Sequence, residues 1–181
     1  TVSGFTASGL VGGETASVLS GVSASRTEKN AGTYATTASG TDGNYNLSFV
    51  DGSMRINKAA LTATGNSTSV TYNGANQTVS GFTVSGLQGS DTVASLTTVV
   101  ASDATGKNAG SYTNTVTAGT ETNYAVTTVN GGLTIAKANA TVTANSGTLT
   151  YNGSNQTVSG FTASGLVGGE TASVLSGVSA S

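Results

Sequence analysis

The stretch Thr1–Ser25, TVSGFTASGLVGGETASVLSGVSAS, returns letter for letter at Thr157–Ser181, and a diverged version, TVSGFTVSGLQGSDTVASL, starts at Thr78. The three starts lie 77 and 79 residues apart. A period of this size is long for one coil of a solenoid and suits a small domain repeated along the chain. Other landmarks keep the same step. Asn30-Ala31-Gly32-Thr33-Tyr34 recurs as Asn108-Ala109-Gly110-Ser111-Tyr112, and Asn44-Tyr45 as Asn123-Tyr124. Ile56-Asn57-Lys58-Ala59 recurs as Ile135-Ala136-Lys137-Ala138, and Tyr72-Asn73-Gly74 as Tyr151-Asn152-Gly153.

Breaking the chain at the Lys-Ala junctions gives three pieces: 1–59, a partial repeat lacking its first strands; 60–138, a complete repeat; and 139–181, the opening part of a third. All six tyrosines fall at the recurring positions, and Phe5, Phe82 and Phe161 share a fourth. In a chain with only 6% aromatics, large rings in fixed places read as the anchors of a small core. The expected anchors are Tyr34, Tyr45, Tyr72, Phe82, Tyr112, Tyr124, Tyr151 and Phe161.

Within the complete repeat the strand signals are short and bounded by turn residues. They cover Leu61–Thr64, Ser69–Tyr72, Thr78–Val84, Ser111–Ala118, Tyr124–Val129 and Gly132–Ile135. From Ser111 to Ala118 the residues Tyr112, Asn114, Val116 and Ala118 share one face. Asn73-Gly74, Asn130-Gly131 and Asn152-Gly153 are tight-turn dipeptides. Asn130-Gly131, with Asp51-Gly52 in the earlier copy, predicts a type I′ turn and a closing hairpin. Asp91 stands where it would cap a single helical turn running to Leu96; Glu14 and Glu170 hold that place in the other copies. The expected fold is all-β: tandem small antiparallel, Ig-like sandwiches of about 78 residues, each with one short helical turn. A β-grasp-like unit is the first alternative and a β-helix the second.

Composition narrows the function. Charged residues make up 8% of the chain and the formal net charge is −2. Six scattered Lys and Arg cannot form the cationic footprint that nucleic-acid binding draws on, so no nucleic-acid partner is expected. No apolar run approaches the ~20 residues needed to span a bilayer, so no membrane insertion is expected. The absence of Pro, with abundant Val and Thr, favours strands over disorder. With neither His nor Cys in the chain, histidine-based triads, thiol nucleophiles and the usual zinc sites are excluded. Of the eight carboxylates, Glu14, Asp91 and Glu170 share one repeat position and Asp42 and Glu121 another, while Glu28, Asp51 and Asp103 stand alone; single carboxylates recurring once per repeat argue against acid–base catalysis. No enzyme activity, cofactor or metal is expected. Lys58, Lys137 and Lys107-Asn108 read as solvated lysines on strand edges rather than as parts of an isopeptide link.

The order of these motifs resembles the YDG and MBG repeats found in tandem in large bacterial surface adhesins of the filamentous-haemagglutinin type. The resemblance rests on Tyr72-Asn73-Gly74, Gly81-Phe82-Thr83, Gly86-Leu87 with Asp91-Thr92, Asn108 to Tyr112, Asn123-Tyr124, and Gly132 to Ile135. This chain has Tyr-Asn-Gly where the first family is named for Tyr-Asp-Gly. The resemblance implies a secreted or bacterial cell-surface protein whose repeats act as stalk or cohesive spacer in adhesion and biofilm. Partners are then neighbouring repeats of the same long chain. Two other functions stay open: a multivalent weak binder of host or matrix glycans, and a subunit that self-associates into extracellular fibres.

Overall fold

The computed structural model describes residues 2–179 of the chain. It divides into two compact units, and neither is a single sequence repeat. The first gathers Thr1–Leu61, Gly86–Asp91 and Thr120–Val126; the second gathers Thr62–Ser85, Thr92–Gly119 and Thr127–Ser181.

In the first unit, β1 (Val2–Ser3), β2 (Val22–Arg26), β3 (Gly32–Thr36), β4 (Ala38–Gly40) and β5 (Gly52–Ile56) form two small sheets, ordered β1-β2-β4 and β3-β5. Both are antiparallel, with Tyr34 opposite Met54. Leu19, Met54 and Leu61 are buried, Leu61 to 2% exposure. Burying a leucine fully contributes about 1.5–3 kcal/mol.

The strands that follow come as long runs broken once each. β6 (Ala59–Gly65) and β7 (Ser67–Thr71) break at Asn66; β8 (Gln77–Val79) and β9 (Phe82–Ser85) break at Ser80-Gly81. β10 (Val99–Ser102) and β11 (Ala104–Gly106) break at Asp103, β12 (Gly110–Ala118) is unbroken, and β13 (Tyr124–Val129) and β14 (Gly131–Ala136) break at Asn130. In every broken run the two halves belong to different sheets: β10-β12-β14-β7, β13-β6-β9 and β11-β8. Strands that bend and change sheet make the corners of a small sandwich. β15 (Thr141–Ala144) and β16 (Phe161–Ser164) add an antiparallel pair. Short 3-10 turns at Ala16–Val18, Val93–Ser95 and Ala172–Val174 mark the three copies of the opening stretch.

The all-β expectation is borne out, with one short helical turn in each copy. β14 pairs with β7 in parallel, whereas the β10–β12, β12–β14 and β6–β9 pairings are antiparallel. The β12 alternation places Tyr112, Asn114, Val116 and Ala118 inward, and Ala104, Leu133 and Ile135 form a core flanked by Val70, Tyr72, Val79 and Tyr112. Gly106 lies under the Tyr112 ring, where a Cβ would come within 2.2 Å of it.

The predicted closing hairpin is absent. β13 and β14 do not pair with each other, and neither Asn130 nor Gly131 adopts a positive φ. Asn130 instead turns its side-chain oxygen to the Val116 amide at 2.9 Å. A Cβ on Gly131 would stand 2.2 Å from the Asn66 carbonyl oxygen and 2.3 Å from that of Gly65. The dipeptide is selected for close backbone approach at a corner, not for reversal. Asp51-Gly52 likewise opens strand β5 without a positive φ. Asn73-Gly74 and Asn152-Gly153 do turn, with φ of 78° and 74° at the glycines. Their asparagine side chains accept the Ala75 and Ser154 amides at 3.0 Å.

At the same corner sits Asn114, with no exposed surface. Its Nδ2 donates to the Asn66 carbonyl at 3.1 Å and the Gly81 carbonyl at 2.8 Å, both freed from ladders by the strand breaks. Replacing it by alanine leaves the Asn66 carbonyl without its side-chain donor, while the Gly81 carbonyl keeps the Asn66 amide at 3.1 Å; an inward-facing group left unsatisfied costs about 1–3 kcal/mol. Asn114→Ala is expected to lower the urea midpoint by an amount worth about 2 kcal/mol with the slope unchanged. Gly131→Ala is expected to lower it further, both read by equilibrium denaturation followed by circular dichroism.

Candidate functional site: tyrosine clasps and an asparagine seam

The loop before each 3-10 turn is built alike. Val11-Gly12-Gly13-Glu14 closes with the Glu14 amide donating to the Val11 carbonyl at 3.2 Å, and Gly12 and Gly13 take φ of 68° and 80°. Gln88 to Asp91 and Val167 to Glu170 close the same way at 3.1 Å. The turn presents one backbone amide and one carboxylate side by side. In the first unit a tyrosine hydroxyl bridges them twice. Tyr45 accepts from the Val11 amide at 3.0 Å and donates to Glu14. Tyr124 accepts from the Gln88 amide at 2.9 Å and donates to Asp91 at 2.6 Å. In the second unit Glu170 is reached by a different tyrosine, Tyr72.

Donation to a carboxylate favours the neutral phenol, so Tyr45, Tyr72 and Tyr124 all sit above the ordinary tyrosine value. The amides of Val11 and Gln88 partly oppose the shift at Tyr45 and Tyr124, while desolvation adds to it at all three.

Asp91 therefore does not cap the helical turn. Thr92 occupies that position, its amide held by the Ser95 hydroxyl at 3.1 Å, because the Asp91 carboxylate is engaged by Tyr124.

Among the expected anchors, Tyr124 is 6% exposed, and Tyr34, Tyr45, Tyr72, Tyr112, Phe82 and Phe161 are half-buried. Tyr34 and Tyr112 each donate to the carbonyl four residues back, Asn30 and Asn108, at 2.9 Å. Tyr151 is the exception, 91% exposed. Its counterpart Tyr72 packs against a core supplied by β11 and β14, and among the described residues no such strands stand beside Tyr151.

The first unit also contains a seam between segments of successive repeats. Asn123 accepts from the Ala31 amide at 2.9 Å through Oδ1 and donates to the Asn30 side chain at 3.1 Å. Its backbone carbonyl accepts the Ala59 amide at 2.9 Å, and Lys58 donates to the Glu121 carbonyl. Lys58 thus serves the seam rather than only softening a strand edge. Among the described residues no three acidic side chains gather closely enough to hold a metal ion.

The clasp carboxylates Glu14, Asp91 and Glu170, and the seam residues Asn30, Asn123 and Lys58, were absent from the expected anchors. The signal that could have found them was available: each carboxylate, and each Asn-Tyr dipeptide, returns at the period of the repeat.

A family model described as MBG domain (YGX type) matches the chain over residues 1–55 and again over 61–134. Neither the curated proteins nor the solved structures compared with the chain include a match.

A raised phenol pKa fixes the sign of one pH dependence. The stability that the clasps provide is fully present below about pH 10, the ordinary tyrosine value, and is lost as pH rises through the higher folded value. Tyr124→Phe is expected to lower the melting temperature at neutral pH and to flatten the alkaline decline. Thermal unfolding followed across the tyrosine titration range checks both.

Proposed function

Because the chain belongs to the MBG domain family, YGX type, we propose that it is a spacer segment of a secreted or cell-surface protein, one that carries tension between a surface and whatever the protein binds. The observation that carries this reading is the composition of the first unit. It closes only by taking Gly86–Asp91 and Thr120–Val126 from beyond the first repeat; it fixes the second segment through Asn30, Ala31, Lys58 and Asn123, and Tyr124 of that segment holds the first. Repeats that share a compact unit resist being drawn apart, because extension must break the seam together with the core.

Adhesion and biofilm cohesion are the roles such a spacer would serve. At roughly 30–40 Å for a compact unit of this size, many in series would project far from a cell. No helix among the described residues is long and apolar enough to cross a membrane.

A second reading, weak glycan binding through many copies, is favoured by one feature, the exposed Tyr151 ring followed by Asn152. Against it, the hydroxyls of Tyr72, Tyr112 and Tyr124 are committed to internal acceptors. A glycan array probed with the chain and with Tyr151→Ala separates the two, since only a glycan site makes the ring matter.

The spacer reading is tested by pulling single molecules of the chain between terminal handles. We expect a discrete rupture releasing more residues than one repeat contains, and a lower rupture force for Asn123→Ala with its circular dichroism unchanged. Smooth extension at low force would rule the reading out.

A further inference from the structure

The seam of the first unit has a counterpart in the second. By repeat, Asn30, Ala31, Lys58 and Ala59 correspond to Asn108, Ala109, Lys137 and Ala138. In the first unit these residues receive the segment carrying Glu121 and Asn123. In the second unit, Asn108, Ala109, Lys137 and Ala138 instead line a groove of about 430 Å³, whose other wall includes Val167 and Glu170.

Three features mark the groove as a seat. First, among the described residues no hydrogen bond is made by the Asn108 or Lys137 side chains or by the Ala109 and Val167 amides. Their counterparts Asn30, Lys58, Ala31 and Gln88 are all engaged in the first unit. Second, Leu175 lines the groove half-buried, whereas the matching leucines Leu19 and Leu96 are 4% and 6% exposed. Third, Glu170 is held by Tyr72, a residue from a different place in the repeat than Tyr45 and Tyr124, which hold the matching carboxylates.

We propose that this groove binds a segment of the acidic-x-Asn-Tyr type, bent just ahead of a strand, supplied by another repeat of the same kind. Glu121-Thr122-Asn123-Tyr124 is the instance already seated in the first unit. The incoming asparagine pairs with the Ala109 amide and the Asn108 side chain, and Lys137 takes the carbonyl of the acidic residue. The tyrosine hydroxyl lies between the Val167 amide and Glu170, which Tyr72 gives up, and the segment covers Leu175. Specificity comes from the asparagine, whose amide both donates and accepts at the seam.

The inference takes the source of the segment from the spacer reading, but its test is separate: a segment that fails to bind leaves the pulling result standing. A fluorescent peptide of residues 119–130, GTETNYAVTTVN, is titrated into the full chain and followed by anisotropy. Saturable binding is expected, with affinity about tenfold weaker for the Asn123→Ala peptide, the loss of one or two hydrogen bonds. Lys137→Ala and Ala109→Pro in the chain are expected to weaken binding similarly, each checked for unchanged circular dichroism. Arg55→Ala, at an exposed position on β5 outside both seams, is expected to leave it unchanged. No binding, equal binding of a scrambled peptide, or loss of binding in Arg55→Ala as large as in Lys137→Ala would each overturn the proposal.

Discussion

Backbone groups released where strands change sheet are the constraint on which the rest of this structure depends. A strand that leaves one ladder for another has carbonyls and amides that no neighbouring strand can satisfy, and burying them unpaired is costly. The chain answers with asparagine. Asn114 takes two carbonyls at the corner, Asn130 takes the Val116 amide, and Asn66 reaches the Ser80 carbonyl at 2.8 Å. The matching Asn145 reaches the Ser159 carbonyl at 3.0 Å. Glycines at positions 65 and 131 then let the backbones approach closely enough for those bonds to form. The sheets can be short because the corners are held.

The same economy explains why so few large side chains suffice. Leu61, Leu133 and Asn114 are the largest side chains buried almost without exposed surface, and one of the three is polar. Tyrosines supplement the core by working at both ends, ring against the sheet and hydroxyl on a backbone or carboxylate partner. Such bonding is directional, so it fixes strand register more sharply than apolar packing alone. The cost shows at Asn114 Oδ1 and at Thr36 Oγ1, its counterpart in the first repeat, both buried without a partner among the described residues.

Much of this was legible in the sequence. The alternation from Ser111 to Ala118 identified the inward face of β12, and the strand signals fell on β6, β7, β8 with β9, β13 and β14. What escaped has a common cause: a local pattern does not say which sheet a residue joins. Asn130-Gly131 carries the chemistry of a reverse turn, and tertiary context used it for a corner instead. Val99–Gly106 has weak alternation because it crosses between sheets at Asp103, so β10 and β11 were not foreseen. Asp91 has the chemistry of a cap, and a tyrosine 33 residues away outbid the local amide. Tyr151 shows the limit from the other side. Position in a repeat predicts burial only where the strands that cover that position are also at hand.

Period and compact unit are therefore different partitions of this chain. The period reports how the sequence was copied, whereas the unit reports which segments must be present together for surfaces to close. Glu121–Tyr124 shows why they diverge. Tyr124 clasps the loop of its own repeat, while Asn123, the adjacent residue, serves Asn30 and Ala31 of the preceding one. The chain bends at Thr122 and Asn123 just before the strand that begins at Tyr124, so these adjacent side chains reach different partners and one short segment satisfies two repeats at once. A repeat built this way cannot be completed by its own residues alone, and its stability belongs in part to its neighbour, as nearest-neighbour coupling in linear repeat proteins requires. Coupling of that kind raises the cooperativity of the array without enlarging any core, the property a chain this poor in apolar bulk needs if it is to bear load.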